Sequence, residues 1–428
     1  MTDSLTANPA TSLWRNRDFL FLFAAQIISL LGSGVTTVGL ALFAYQLTGG
    51  ESATKVIGYA LTLRILAFLL FSQPAGVLAD RFNRKKILIA ADLARFALLA
   101  LFPFVATVWQ IYALIFAINA VTAFFTPTFE ASIPEVAGED HYVKALSLSR
   151  VAVDVEAFAA PALAGLLVVL VGVRWVFWFD AFTYLVSALF VLAASIPVVA
   201  RKQIPLSVSV FLKEITTGTR ILLREPSLRQ ALILSFAEAT AGAAAIVATV
   251  VYVRDELGRG DSAFTFVMAG LGIGSAVTAL ILGRITSRYE QAVKGRDGLH
   301  TRRHVWARRG LLIGGTVLGL LLLPGVFKPP LILFAVLWFL NGVGQALIAI
   351  PSSTLLAEHT DEAERGRAYA AHFALTHACW LITYPAIGYA AASYGTPATF
   401  TVAGVVCLLI TTAALVFGRD GNNLHSHD

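Results

Sequence analysis

Gly76-Val77-Leu78-Ala79-Asp80-Arg81-Phe82-Asn83-Arg84-Lys85-Lys86 joins two apolar stretches, at roughly 57–79 and 87–107. Each stretch is long enough to cross hydrocarbon as a helix, which takes about 20 predominantly apolar residues. The connector between them is short and carries Arg81, Arg84, Lys85 and Lys86. Two spans joined by a short basic loop are the repeating unit of a polytopic helical membrane protein, because loops rich in Lys and Arg stay on the cytoplasmic side.

Working outward, the same pattern continues to both ends. Further apolar segments lie at roughly 19–46, 109–129, 146–171, 175–196, 228–253, 263–283, 310–326, 331–356, 368–393 and 398–417, giving twelve predicted spans. Polar or Pro/Gly punctuation separates most neighbours, and only the short Thr107–Gln110 stretch divides the third from the fourth. Of 428 residues, 57% are hydrophobic and 14% are charged, and the mean hydropathy is +0.75. Soluble domains carry about 25% charged residues, so the composition excludes a cytosolic enzyme, a disordered chain and a DNA-binding protein. The segments lack the ten-residue alternation of membrane β-strands. Two cysteines, Cys379 and Cys407, lie in apolar runs and cannot form a disulfide framework.

The net charge of +6 follows from topology. The segments expected on one side are the N-terminus, the loops after spans 2, 4, 6, 8 and 10, and the C-terminus; they hold 24 Lys and Arg residues against five on the other side. Both termini are therefore expected in the cytoplasm, with the chain in a bacterial inner membrane. The first eighteen residues are polar and do not read as a cleaved signal.

The chain divides into two similar halves. Pro127-Thr128 begins a run containing Pro134-Glu135, Ala145-Leu146-Ser147, Asp154, Pro161 and Gly165. Pro351-Ser352 begins another containing Glu358, Arg367-Ala368-Tyr369, His377, Pro385 and Gly388, most pairs being offset by 223 or 224 residues. The expected organisation is a cytoplasmic N-terminus (1–18), a six-helix bundle (19–197), a cytoplasmic linker (198–227), a second six-helix bundle (228–417) and a cytoplasmic tail (418–428). In such paired-repeat architectures the substrate site lies near the midplane between the halves.

The 76–86 stretch resembles the signature loop between helices 2 and 3 of the major facilitator superfamily, G-x-L-a-D-r-x-g-r-k, with Asn83 in place of the second glycine. The resemblance implies an all-α membrane protein of twelve helices in two six-helix repeats. It implies a gate in which Asp80 latches against helix 11 while Arg81 and Arg84 pair with acids below helix 4, for which Glu130 and Glu135 are placed. Gly76 would allow helix 2 to pack closely, as small residues do. Lys85 and Lys86 read equally well as plain positive-inside residues.

Ionisable residues within spans are costly and are functional candidates. They are Arg64, Asp92, Arg95, Arg150, Asp154, Glu156, Asp180, Glu238, His372 and His377. Asp92 with Arg95 and Arg150 with Asp154 have the three- and four-residue spacings of intrahelical ion pairs. Arg64 and Asp180 have no local partner. Asp154, Glu156, Asp180, Glu238 and His377 are the candidates for proton or substrate binding.

His372, His377 and Cys379 bring two imidazoles and a thiol into one short helical stretch, and such ligands suit zinc, nickel, cobalt or copper. The alternative is histidines hydrogen-bonded between helices. His372 and Cys379 share a face, with His377 about 140° away from His372, so a straight helix cannot aim all three at one ion. This run, Leu30-Leu31-Gly32-Ser33-Gly34-Val35-Thr36-Thr37 and the tail His425-Ser426-His427-Asp428 together resemble nickel-resistance exporters of the superfamily. Helix 5 offers Ala157 to Gly165 in place of the Gly-rich antiporter pattern, and helix 4 offers Asn119 where that group has an arginine. In these respects the chain resembles the siderophore-exporter and macrolide-efflux branch.

The resemblance implies a secondary active exporter, proton-coupled and working by alternating access. Its substrate is expected to be a divalent transition metal of the nickel or cobalt type, with an amphipathic drug or siderophore as the alternative. Expected partners are the substrate, protons and the bilayer, with no nucleic acid, and a monomeric state. No cofactor and no catalytic residue is expected, since no phosphate-binding loop is present.

Overall fold

The computed structural model describes residues 13–138, 142–197, 208–292, 299–360 and 362–418. All the apolar segments read from the sequence are helical. The elements are α1 (Arg17–Thr48), α2 (Gly50–Arg81), α3 (Arg84–Ala100), α4 (Val108–Ala137), α5 (Tyr142–Val171), α6 (Val173–Ala193) and α7 (Val208–Arg224). They continue with α8 (Pro226–Glu256), α9 (Asp261–Ala292), α10 (Leu299–Leu322), α11 (Leu331–Glu358), α12 (Glu362–Tyr394) and α13 (Thr396–Phe417). Ten of the described helices are long and apolar enough to cross a membrane. Those ten do not include α5 and α12, which run for 30 and 33 residues in the same bundle.

Local chemistry sets several boundaries. The Asn16 side chain accepts the Phe19 N–H and caps α1, and Gly49 and Gly50, at φ 66° and 43°, turn the chain directly into α2. Positive φ at adjacent positions suits glycine, which has no Cβ to clash. Asn83, which stands in the signature loop where the family pattern has glycine, accepts the Lys86 N–H at 3.2 Å and so caps α3. Its amide oxygen satisfies a backbone donor that the first turn of a helix leaves unpaired. The stretch expected as a polar linker contains a helix, α7, which packs on α12 and α8. Leu222 is buried while Arg220 and Arg224 are exposed, so the linker helix has one apolar side.

The pairings α1 with α6, α2 with α4, α3 with α6 and α1 with α5 recur as α8 with α13, α9 with α11, α10 with α13 and α8 with α12. Between the two groups, α2 packs on α12 and α5 on α9. Glycines permit the close crossings. A Cβ at Gly274 would lie 1.8 Å from the Phe339 carbonyl oxygen, and one at Gly342 would lie 2.0 Å from that of Leu271. The α2–α12 crossing is equally intimate: a Cβ on Gly388 would sit 2.7 Å from the Thr54 carbonyl oxygen, and the Thr54 hydroxyl donates to the Gly388 carbonyl at 3.0 Å. At the same end Tyr45 donates its hydroxyl to Asp255, and Arg254 pairs with Asp261 at 3.0 Å while covering the Tyr45 ring at 4.9 Å. Two π-helical segments in α8, Ala244–Ala248 and Tyr252–Glu256, set the helix register there and place those last charged residues.

Replacing Gly274 with leucine forces α9 away from α11 against backbone atoms that cannot move aside. We expect at least about 3 kcal/mol of destabilisation, read as a lower midpoint of thermal unfolding in detergent or as loss of folded protein on size exclusion. Gly283, which has no atom within 4 Å of an added Cβ, should tolerate alanine with no such effect.

Candidate functional site

Of the side-chain pairs expected around the 76–86 loop, the Arg84–Glu135 pair is present. Arg84, at the start of α3, donates to a Glu135 carboxylate oxygen on α4 at 2.7 Å and also to the Ala131 carbonyl. Both side chains are buried, at 6% and 8% exposure, so each charge depends on the other for solvation. Glu130 lies on the exposed side of α4. The side chains of Asp80 and Arg81, and the surroundings of Gly76, lie outside the described residues.

Deeper in the molecule α1, α2, α3, α4 and α6 enclose a polar pocket, with about 520 Å³ of empty space including its open mouth. It is lined by Ser33, Thr36, Thr37, Arg64, Asn119, Thr122, Asp180 and Tyr184, together with aliphatic side chains. Asp180, on α6, accepts from the Thr36 hydroxyl at 2.5 Å with one oxygen and from Thr183 at 3.1 Å with the other. Space for it comes from Gly32, where a Cβ would lie 2.2 Å from the Asp180 carboxylate. Two residues on, a Cβ at Gly34 would meet the Glu156 carboxylate of α5 at 2.4 Å. The Leu30–Thr37 stretch therefore supplies both the hydroxyls and the gaps that admit two carboxylates from neighbouring helices. Ser33 and Tyr184 hydroxyls meet at 3.0 Å. Arg64 donates to the Thr37 hydroxyl at 3.0 Å.

Asp92 and Arg95 form the intrahelical pair their spacing predicts, and both are buried. Ser187 donates to the second Asp92 oxygen at 2.8 Å, and the Arg95 guanidinium lies between the Phe125 and Tyr184 rings at 4.1 and 4.3 Å. The pair and the Ser187 bond together brace α3 against α6. The side chains of Arg150 and Asp154 lie outside the described residues.

On the other half, Glu238 sits in an alanine-rich turn of α8 and has no hydrogen-bond or ion-pair partner among the described residues. One turn along α8, a Cβ at Gly242 would lie 2.3 Å from the Trp380 indole, so the glycine seats that ring against α8. Trp380 in turn packs on Tyr384 in a tilted arrangement with ring centroids 5.1 Å apart.

The metal set expected from His372, His377 and Cys379 does not assemble. Among the described residues no group of three His, Cys, Asp or Glu side chains could hold an ion. His377 donates Nδ1–H to the Phe373 carbonyl at 2.8 Å and stacks on the Phe373 ring at 3.8 Å, with Phe68 of α2 at 6.4 Å. The Cys379 thiol donates to the Leu375 carbonyl at 3.2 Å. Both groups are turned back on their own helix, and helical geometry fans the three side chains apart. The tail histidines, His425 and His427, lie outside the described residues.

Comparison with known proteins places this arrangement. The uncharacterized MFS-type transporter YfiS of Bacillus subtilis is 25% identical over 411 residues, covering 94% of each chain. The enterobactin exporter EntS of Shigella flexneri is 27% identical over 362 residues, covering 82% of this chain and 79% of its own. Macrolide efflux protein A of Streptococcus pyogenes is 27% identical over 209 residues, about half of each chain. Among solved structures, the nucleoside transporter NupG superposes with a TM-score of 0.70 at 14% identity over 94% of this chain and 99% of its own. A bacterial homolog of the lysosomal transporter Spinster gives 0.68 at 13% over 96% and 97%. At such identities these superpositions establish the fold alone. The Major Facilitator Superfamily itself matches residues 22–296 and 301–426, nearly the whole sequence, and the chain belongs to that superfamily: it is a membrane transporter, not an enzyme.

Proposed function

We propose that the protein is a secondary active exporter of an amphipathic organic molecule of the drug or siderophore class. The observation that carries this reading is the interior of the bundle, where Arg64, Glu156, Asp180 and Glu238 are held at separate points among aromatic and hydroxyl side chains. A metal ion requires several ligand atoms converging at about 2 Å. An organic molecule of several hundred daltons instead uses polar anchors spread over a wide, largely apolar surface. The similarity to a macrolide efflux protein and an enterobactin exporter supports the same choice, and favours it over the nickel or cobalt substrate expected from the histidines.

In this reading twelve helices form two six-helix halves, 19–197 and 228–417, that rock about a site between them. The 198–227 segment joins the halves on the cytoplasmic face of a bacterial inner membrane, with both termini on that face. The protein acts as a monomer. The α1–α2 end is then the outer one, closed by the Thr54–Gly388 crossing and the Tyr45–Asp255 contact, while Arg84 and Glu135 hold the cytoplasmic end of the first half. Export is driven by proton entry, with Asp154, Glu238 and His377 as the carriers. Glu238 meets the structural requirement, since a carboxyl without a hydrogen-bond or ion-pair partner among the described residues is free to exchange a proton for substrate.

Everted vesicles with an imposed proton gradient test this directly. Gradient-driven uptake of a macrolide or a siderophore is expected, with none of nickel or cobalt, and the Glu238→Gln protein should lose at least about 90% of it while remaining in the membrane. Metal uptake without organic uptake would reverse the assignment. Asp154→Asn and His377→Ala in the same assay apportion the proton pathway; normal transport by all three variants would remove proton carriage from these residues.

Rigid closure at the outer end gives a second expectation. Gly388→Val should abolish transport without loss of membrane-inserted protein, because the added methyl groups meet the α2 backbone at Thr54 and Gly58. Undiminished transport by that variant would show that this crossing does not tighten and relax during the cycle.

A further inference from the structure

We propose that Arg64 is the docking point for a negatively charged oxygen group carried on an aromatic ring of the transported molecule. The inference rests on the organic-export reading, which leaves the charge of the substrate open. A guanidinium within a membrane bundle is normally paired. Among the described residues Arg64 makes a single hydrogen bond, to the Thr37 hydroxyl at 3.0 Å, and no carboxylate lies within ion-pair distance of it. Of the five N–H donors on its planar fork, most remain available to the pocket it lines.

The neighbouring groups are arranged so that they do not consume those donors. Both Asp180 oxygens accept from threonines, Thr36 and Thr183, in the space left by Gly32. Glu156 is held against Gly34 on the other side of α1. These carboxylates balance the guanidinium at a distance without bonding to it. Three hydroxyls in the wall give their protons to helix carbonyls, Ser33 to Ser29 at 2.8 Å, Thr37 to Ser33 at 3.0 Å and Thr122 to Ile118 at 2.8 Å, while Thr36 gives its proton to Asp180 and Tyr184 meets Ser33. The first three therefore face the pocket as acceptors. Arg64 is left as its strong donor, and the complementary ligand group is an oxyanion, best one with two oxygens that the fork can grip together.

Phe68 specifies the rest of the ligand. It stands four residues beyond Arg64 on α2, hence on the same face of the helix. Its ring packs with Phe373 at 5.7 Å and His377 at 6.4 Å from α12. The cluster is not among the residues that line the Arg64 pocket, so an aryl carboxylate or an ionised catechol would hold its oxygens on the fork and extend its ring out of the pocket toward the cluster. Since the cluster draws on α2 and α12, such a ligand would touch both halves at once.

The test is direct binding to the purified full-length protein in detergent, by calorimetry, using salicylate, benzyl alcohol and benzylamine as matched anionic, neutral and cationic probes. Salicylate should bind at least about ten-fold more tightly than either of the others, the range of one or two charge-assisted hydrogen bonds. Arg64→Gln should remove that preference and leave the neutral probe unchanged, and Arg64→Lys, which keeps the charge but loses the fork, should restore it only in part. Equal binding of salicylate by the wild-type and Arg64→Gln proteins, or a preference for benzylamine, would overturn the assignment. Should Arg64→Gln fail to fold, Arg64→Lys still decides: full retention of the salicylate preference argues against gripping by the fork, and loss of half or more supports it. Vesicle transport separates the two readings. Organic export without salicylate binding refutes the role of Arg64 alone, whereas salicylate binding without organic export refutes the exporter reading and leaves the anion site in place.

Discussion

Hydrocarbon offers no partner for a backbone N–H or C=O, and the rest of this molecule follows from that lack. Every backbone group within the bilayer must be satisfied inside its own segment, which leaves long helices as the solution for a chain of this composition. Once the helices exist, lipid is as apolar as leucine and gives them little reason to associate through greasy faces. Close approach has to supply the attraction instead. The pairs Gly274 with Phe339, Gly342 with Leu271 and Gly388 with Thr54 are where it does so, with backbones brought to distances that any side chain would prevent.

The same constraint sorts the polar residues. A charge left facing lipid is costly, so Asp92, Arg95, Asp180, Arg84 and Glu135 are buried in protein. They fall into two kinds according to what surrounds them. Asp92 with Arg95 and Arg84 with Glu135 are closed pairs, each charge answered by its neighbour, and they lock helices together. Among the described residues, Arg64, Glu156 and Glu238 have no ion-pair partner. An incompletely answered charge inside a transporter is useful because a ligand or a proton can complete it, and completion can bias the balance between two packings of the bundle.

The halves divide this chemistry unequally. The first supplies hydroxyls, an amide and a guanidinium around one pocket. The second supplies Glu238 in an alanine-rich helix whose Gly242 seats Trp380, itself packed on Tyr384, and holds a fully buried aromatic cluster of Tyr252, Phe334, Trp338 and Phe400. A molecule bridging the halves would meet polar recognition on one side and an apolar, singly charged surface on the other. That contrast suits an amphipathic substrate better than a small ion, whose ligands would need to converge.

The positions of the helices, their punctuation and the Asp92–Arg95 pair were legible in the amino-acid order, whereas the Arg84–Glu135 contact was implied by the family resemblance, which left Glu130 as an equal candidate. Hydropathy is a property of each segment in lipid, and a three-residue spacing on a helix places two side chains together whatever else the chain does. The amphipathic helix at 208–224 escaped because its apolar side is short and sits within a basic stretch. The histidine cluster misled for a related reason: adjacency in sequence brings ligands near one another, yet a helix fans them around its axis, and His377 turned to its own backbone and to Phe373. What the tertiary structure alone decided was which polar groups share a space. Thr36 and Asp180 lie 144 residues apart, and nothing in either segment names the other. Their meeting depends on how α1 and α6 are rotated and on the gap at Gly32, and rotation about a helix axis is fixed by packing against neighbours rather than by the sequence of the helix itself.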